Sequence, residues 1–306
     1  MTEPLQIAVT GSTGFIGSAL VPFLRSRGHD VRRVVRGAPA VGTRDIQWDP
    51  ARRRLDPAAL DGVDAIVNLS GEPVDHRWTA SHKAKIRESR IGSTRLLAET
   101  MARIERPPRV FVSTSGIGYY GDRGNEWLDE SSSAGRDFLA TTAREWEGAA
   151  DPARAAGVRV AHPRFGVVLS PDGGALARLL GPFKLGAGGK IGTGQQWLSW
   201  IARDDAIAAI QFLIEDSNIE GPVNVVSPNP ETNEHFAKIL GHVLGRPSVA
   251  TVPALAVRLM FGAEMANATV LVSQRVRPKA LDEHGFRFRF PHLEAALVHE
   301  LRKERH

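Results

Sequence analysis

A chain of 306 residues with an ordinary share of aliphatic side chains is long enough for one large or two unequal domains. It has no cysteine, which excludes disulfides, thiolate nucleophiles and cysteine-ligated metals. Its net charge of +5 is a mild excess that suits an anionic small molecule. The basic stretches Arg52-Arg53-Arg54 and Arg302-Lys303-Glu304-Arg305 lack the interleaved aromatics of a base-stacking surface. They read as a solvated loop and a chain end, so no nucleic-acid partner is expected. No apolar run approaches the roughly 18 residues of a membrane span. The start of the chain reads directly into a strand without a leader, so the expected location is the cytoplasm.

In chain order, Leu5 to Thr10 reads as a strand, followed by a glycine turn and a helix from about Phe15 to Arg27. Gly28-His29-Asp30 ends that helix, and Val31 to Val35 is the second strand. Ile46-Gln47-Trp48 and Ala65 to Leu69 give a third and a fourth. A long helical pattern runs from about Lys83 to Ile104 and stops before Pro107-Pro108. Val110 to Ser113 is the fifth strand, and a helix near Phe138 to Ala150 leads to a sixth at Val158 to His162. This alternation predicts an α/β domain with a doubly wound parallel sheet over residues 1–166. From 167 to 306 the texture changes. A glycine-rich stretch carries Trp197 and Trp200, and helical patterns follow at Asp204–Glu215, Thr232–Leu244, Ala254–Met260 and Leu293–Leu301. A smaller, mainly helical region on the substrate side is expected, with elements after the sixth strand free to return to the first domain.

Gly11-Ser12-Thr13-Gly14-Phe15-Ile16-Gly17 falls at the first strand-to-helix junction. Small residues there let the backbone approach a pyrophosphate, and free N–H groups at the helix start stabilise its charge. That position predicts a Rossmann-type dinucleotide site. The end of the second strand then selects the cofactor. An acidic residue there would bind a ribose 2′-hydroxyl; this chain has Val34-Val35-Arg36, and a guanidinium suits a 2′-phosphate. NADP(H) is the expected cofactor.

These segments, read with Asn68-Leu69-Ser70-Gly71-Glu72-Pro73, Ile86-Arg87-Glu88-Ser89-Arg90 and Gly118-Tyr119-Tyr120-Gly121, resemble one family. Gly188-Gly189, Gln196-Trp197-Leu198-Ser199-Trp200-Ile201 and Gln274-Arg275-Val276-Arg277-Pro278-Lys279 extend the resemblance nearly to the C-terminus. The family is the epimerase branch of the atypical extended short-chain dehydrogenases/reductases, known as nucleoside-diphosphate-sugar epimerase-like. Its small C-terminal module has no assigned activity. The resemblance implies cofactor contacts at Val35, Arg36, Leu69 and Ser70, and at Lys85 and Arg90. Gly71 beside them is small enough to admit a ribose, while Lys85 and Arg90 also read as ordinary helix-surface charge.

Members of the wider superfamily act through a serine or threonine, a tyrosine, and a lysine four residues after the tyrosine. Tyr119 and Tyr120 are the only tyrosines here, and four residues on stand Arg123 and Gly124. Where the pair should fall, before Trp146-Glu147, the chain has Phe138-Leu139-Ala140-Thr141-Thr142. Three catalytic candidates remain. Ser115 falls at the superfamily's serine position, at the sheet's carboxyl edge, where Ser113 is an expected cofactor contact, and the Ser115 hydroxyl would polarise a carbonyl. Tyr119 or Tyr120 would supply a proton if the loop folds inward; alternatively one packs and the other holds a hydrogen-bond network. Arg164 either lines the nicotinamide end or forms a structural ion pair.

Trp197 and Trp200 read as a substrate wall or as core anchors. Asp204-Asp205 reads as the acidic first turn of a helix. His235 and His242 lack a third ligand, so no metal is expected. Two functions follow: an NADP(H)-dependent oxidoreductase or epimerase-like enzyme acting on a small carbonyl or hydroxyl compound, or a non-catalytic NADP(H)-binding redox sensor with a protein partner.

Overall fold

The computed structural model describes residues 3–302. Its main sheet is built from β1 (Gln6–Thr10), β2 (Asp30–Val35), β3 (Ile46–Asp49), β4 (Arg54–Leu55), β5 (Ala65–Asn68), β6 (Val110–Ser113), β7 (Arg159–Phe165) and β8 (Gly221–Val225). The spatial order is β8-β7-β6-β5-β1-β2-β3-β4, and every pairing except β3 with β4 is parallel. This is the α/β, Rossmann-type sheet expected from the alternation of strands and helices. The chain runs outward from β1 through β2 and β3, then returns to place β5 on the other side of β1. That reversal opens a crevice at the carboxyl ends of β1 and β5, where such sheets take ligands.

Period-2 burial follows from the pleat. Ile7 and Val9 of β1 face a core completed by Leu20 and Leu24 of α1 (Gly17–Ser26). Ala8 faces the opposite core, with Leu97 and Met101 of α2 (Ala80–Met101). α2 starts three residues earlier than its periodicity suggests because Thr79 caps it, its hydroxyl accepting the His82 N–H at 3.1 Å. α3 (Phe138–Gly148) is capped in the same way by Asp137, which accepts the Ala140 N–H at 2.8 Å.

Two departures from the sequence reading have local causes. β7 continues past Pro163, which lacks an N–H. The pairing with β6 ends at Ala161, and Ser115–Gly116 takes over opposite Arg164 and Phe165. β8 was not foreseen, since Gly221, Pro222 and Asn224 interrupt its apolar pattern. It survives as an edge strand, where proline is tolerated.

α4 (Asp151–Ala155) precedes β7, and the helices that follow β7 are α5 (Gly174–Lys184), α6 (Arg203–Glu215), α7 (Asn233–Leu244), α8 (Ala254–Phe261), α9 (Ala263–Thr269), α10 (Lys279–Glu283) and α11 (Leu293–Arg302). α6 buries Ile207 and Ile210 against the first core, so residue 166 marks a change of texture and not a cut between bodies. Leu176 and Phe183 of α5, Phe236 and Leu240 of α7, Leu297 of α11 and the fully buried Trp200 form a separate core. α5 lay in the stretch read as loop because Gly174, Gly181 and Pro182 mask its period. Asp205 lies in the first turn of α6 and accepts the Arg289 and Phe290 N–H groups, each at 2.9 Å. Among the described residues no helix is long and apolar enough to cross a membrane.

The carboxyl edge is held by a buried polar chain. Thr10 Oγ1 donates to Asn68 Oδ1 at 2.7 Å, and Asn68 Nδ2 donates to Thr94 Oγ1 at 2.8 Å. The Trp146 indole donates to the same Thr94 oxygen at 2.8 Å. Thr10 Oγ1 and Asn68 Oδ1 also receive the N–H groups of Leu69 and Ser70. Replacing Asn68 by alanine strands several of these groups in the interior. Asn68→Ala is expected to lower stability by about 3 kcal/mol, read by urea unfolding; an unchanged midpoint would remove the chain's structural role.

Candidate functional site: the crevice and the interdomain cleft

At the β1–β5 crevice, glycine is required by contact as well as by conformation. Gly11 has φ +61°, and a Cβ on it would lie 2.7 Å from the Leu69 carbonyl oxygen. A Cβ on Gly17 would lie 2.2 Å from the Gly11 carbonyl oxygen. The Gly14 N–H closes the turn on Gly11 O at 2.9 Å. Among the described residues, the N–H groups of Thr13, Phe15 and Ile16 meet no acceptor. Thr13 and Gly14 are exposed, and Ser12 is buried beneath them. A tight turn with free donors at the start of α1 fits a pyrophosphate. The Phe15 ring packs where a Cβ on Gly173 would lie 2.8 Å away, and Ile16 packs on the core.

The three arginines of the β2 region have separate fates. Arg33 forms a two-pronged pair with Asp45, with Nη2 to Oδ2 at 2.6 Å. Arg32 Nε donates to the Arg44 carbonyl at 3.1 Å. Arg36 is exposed just beyond Val35, with no hydrogen bond or ion pair among the described residues. In the basic loop, Arg52 and Arg53 reach Asp49 and Glu99, so that run is largely neutralised. Of the terminal run, Lys303, Glu304 and Arg305 lie outside the described residues.

On the β5 side, Leu69 and Ser70 are half-buried and Gly71 is exposed at the crevice. Arg90 lies under Gly71, whose Cβ would sit 3.2 Å from the guanidinium carbon. Its Nη1 donates to the Glu72 carbonyl at 2.8 Å, its cation lies 5.2 Å from the Trp146 ring centre, and burial lowers its pKa to about 10. Arg90 is therefore at the site, supporting the Gly71–Glu72 segment. Lys85 is exposed, and five residues from Arg90 along a helix place it about 140° around the axis, so the two do not share a face.

The catalytic candidates are arranged differently from the expectation. Ser115 Oγ donates to Glu147 Oε1 at 2.8 Å, so its one proton is directed at a carboxylate and away from a substrate carbonyl. Glu147 in turn receives Arg164 Nε at 2.7 Å and Nη2 at 2.8 Å. Arg164, with its side chain 3% exposed, is a structural ion-pair partner, and its cofactor role is withdrawn. Ser113 is corrected likewise: it is fully buried, its Oγ facing Thr94 Oγ1 at 3.4 Å. Tyr120 is fully buried; its hydroxyl donates to Asn224 Oδ1 at 2.7 Å and accepts from Arg164 Nη1 at 3.0 Å. It holds a network and presents no proton to a ligand. Tyr119 is half-buried, with the Arg164 guanidinium 3.4 Å from its ring centre.

Phe138 and Thr142 stand on the first turns of α3 in place of a tyrosine and lysine. Thr142 Oγ1 returns its proton to the Phe138 carbonyl at 2.7 Å. Phe138 opens onto a cavity of about 750 Å³ between the two halves of the molecule. Trp78 and Arg136 line it from the first half, and Arg258, Asn267 and Leu271 from α8, α9 and the segment after them. Trp200 is a core anchor. Trp197 stacks on Arg275, whose guanidinium lies 4.1 Å from its ring centre and 3.9 Å from that of Trp127. His235 and His242 pair separately with Glu231 and Glu294.

Sequence reasoning missed Glu147 and Asn68. Glu147 carries a readable signal, because it lies seven residues after buried Ala140 and four after buried Ala143, a carboxylate on an apolar stripe. Asn68 sits inside an apolar strand with nothing local to mark its partners.

Removing Glu147 would leave the Arg164 charge buried and unpaired. Glu147→Ala is expected to cost about 3–5 kcal/mol in urea unfolding, far more than Ser115→Ala. Burial raises the Tyr120 pKa to about 12, above the unfolded value of 10. Its contribution to stability is therefore complete below pH 10 and lost as the pH rises towards 12. With two tyrosines in the chain, absorbance titration should show one phenol ionising late, and Tyr120→Phe should abolish that step.

Comparison with known proteins agrees with this geometry. The model of the NAD dependent epimerase/dehydratase family matches residues 7–226, and that of a domain of unknown function, DUF1731, matches residues 252–300. Epimerase family protein Mb2239 of Mycobacterium bovis is 42% identical over 283 residues, covering 92% of this chain and 93% of its own. Human epimerase family protein SDR39U1, solved with NADPH, superposes with a TM-score of 0.88 at 34% identity, covering 97% of this chain and 99% of its own. The nucleoside-diphosphate sugar epimerase of Corynebacterium glutamicum gives 0.81 at 41% identity, and the match spans 98% of this chain and 58% of that one. A parallel sheet with its glycine turn at the switch point, and agreement over nearly the whole length, lead to one conclusion: the chain belongs to the NAD dependent epimerase/dehydratase family, with a C-terminal DUF1731 domain.

Proposed function

We propose that this protein binds NADP(H) across the β1–β5 crevice and acts as an oxidoreductase or epimerase-like enzyme on a small carbonyl- or hydroxyl-bearing compound. The observation that carries the cofactor assignment is Arg36. It is the cation at the end of β2 left without a partner among the described residues, while Arg32 and Arg33 are tied to Arg44 and Asp45. A guanidinium there suits a 2′-phosphate, and no carboxylate stands beside it in the sequence to favour the free ribose. The human relative solved with NADPH supports the same reading.

In this reading the N–H groups of Thr13, Phe15 and Ile16 hold the pyrophosphate, and Arg36 and Val35 take the 2′-phosphate end. Leu69, Ser70 and Gly71 border the ribose, with Arg90 bracing them from below. Lys85 adds positive charge at the surface of α2. When bound, NADP(H) supplies or accepts a hydride. The cleft beyond Phe138 receives the substrate, and its aromatic lining excludes water from that end. Nucleotide sugars are one candidate class, on the strength of the Corynebacterium relative. Ser115, with its proton on Glu147, offers lone pairs and so serves a substrate hydroxyl better than a carbonyl. Tyr119 is the remaining side-chain proton donor near the network.

A second reading, a non-catalytic NADP(H)-binding sensor acting through a protein partner, draws on the same site. Phe138 and Thr142 carry no acid/base pair, and the hydroxyl of Tyr120 is locked. A panel of carbonyl and hydroxyl compounds, followed by change in the NADPH signal, separates the two: turnover supports the enzyme, and tight cofactor binding without turnover supports the sensor. For the cofactor itself, calorimetric titration of Arg36→Glu should weaken NADPH binding by about 10–100-fold and leave NADH nearly unchanged. Equal losses for both would overturn the 2′-phosphate assignment.

A further inference from the structure

The cleft between the two halves has a charge pattern that its residue list conceals. Three carboxylates and two guanidiniums line it. Each carboxylate is already engaged. Asp122 Oδ1 accepts the Gly124 and Ser273 N–H groups at 3.2 and 3.3 Å, and Asp137 caps α3. Glu264 binds the Lys83 ammonium at 2.6 Å. The guanidiniums are not so engaged. Arg136 has no hydrogen bond or ion pair among the described residues, and Arg258 uses only Nε, donating to Asn267 Oδ1 at 3.0 Å. One comes from the loop before α3 and the other from α8, so each half of the molecule contributes to the lining an arginine with donors unused among the described residues.

The rest of the lining is ring and hydrocarbon. Trp78 and Phe138 meet edge to face with centres 5.1 Å apart. The Trp78 indole N–H is used on the Val74 carbonyl at 2.9 Å, which leaves its π surface as what it offers a ligand. Ala268 and Leu271 close the other side. Among the lining side chains Asn267 is the one neutral hydrogen-bonding group, apart from that occupied indole. A flat conjugated ring needs no hydrogen-bonding partner and suits the aromatic part of this lining.

From these observations we infer that the cleft binds a small planar oxyanion, an aryl or conjugated carboxylate or phosphate. Its ring lies against Trp78 and Phe138, and its charge is held by Arg136 and Arg258. This names the substrate class for the cleft and rests on the reading of that cleft as the substrate side of the cofactor site. Because Arg136 and Arg258 belong to different halves, a ligand held by both bridges them.

Cinnamate, phenyl phosphate, neutral cinnamyl alcohol and UDP-glucose, each titrated calorimetrically into the full-length protein with and without saturating NADPH, test it. Saturable binding of cinnamate or phenyl phosphate, at least about tenfold tighter than the alcohol, is expected. The tighter of the two identifies the anionic group. Arg136→Gln and Arg258→Gln should each weaken that binding about tenfold while NADPH affinity stays unchanged. Equal affinity for cinnamyl alcohol, indifference to both substitutions, absence of any binding by the two anions, or tighter binding of UDP-glucose would each overturn the inference. NADPH binding is read in the same experiment. Its failure would overturn the cofactor reading, and the titrations without NADPH would still decide the cleft.

Discussion

The close approach of the Gly11 turn to the Leu69 carbonyl is the constraint on which the rest of the site depends. No side chain larger than hydrogen fits there, since a Cβ would lie 2.7 Å from the carbonyl oxygen. Contact that tight needs both strand ends held, and the Thr10–Asn68 hydrogen bond holds them, at the point where the sheet order reverses. The same asparagine reaches Thr94 on α2, and Thr94 receives the indole of Trp146 on α3. One buried chain of hydrogen bonds thus fixes the glycine turn relative to the two helices that border the crevice. In a low-dielectric interior a fully satisfied network of this kind specifies a single arrangement, because any alternative strands a polar group.

A second network, centred on Glu147, takes up polar side chains that the sequence alone offers as catalytic candidates. Glu147 draws Ser115 and Arg164 together, and Arg164 passes the connection to Tyr120 and Asn224 on β8. A serine, a tyrosine and an arginine that would look catalytic in a list of polar residues become a brace between the sheet edge and α3. The space where a tyrosine and lysine would work holds Phe138 and a threonine bonded to its own helix. What lines the cleft is an aromatic pair, three carboxylates already holding hydrogen bonds, and two arginines without an ion pair among the described residues. That combination favours recognition of flat anionic molecules over proton relay by a fixed side chain.

The fold and the glycine turn were legible because both are local. β-branched runs alternating with amphipathic helices predict a parallel sheet, and a glycine turn between the first strand and helix can be read without knowing where anything else lies. β8 and α5 were not legible: proline, glycine and asparagine break their patterns, and each is held in place by partners, β7 in one case and the second core in the other. The C-terminal half also sends α6 and β8 back into the first domain, which a change in composition cannot reveal.

For the site, residue types can be read along the chain: glycines at the turn, Arg36 where an acid would exclude a 2′-phosphate, and no tyrosine–lysine pair at Phe138 and Thr142. Which of the polar groups stay available is settled by folding. Arg32, Arg33 and Arg36 look alike in the chain, yet among the described residues two find acceptors and one does not. Ser113, Tyr120 and Arg164 read as candidates until burial and long-range partners took their hydrogen-bonding capacity. The physical reason is the same throughout: a side chain's chemistry is encoded at its own position, whereas its availability depends on neighbours brought from many residues away.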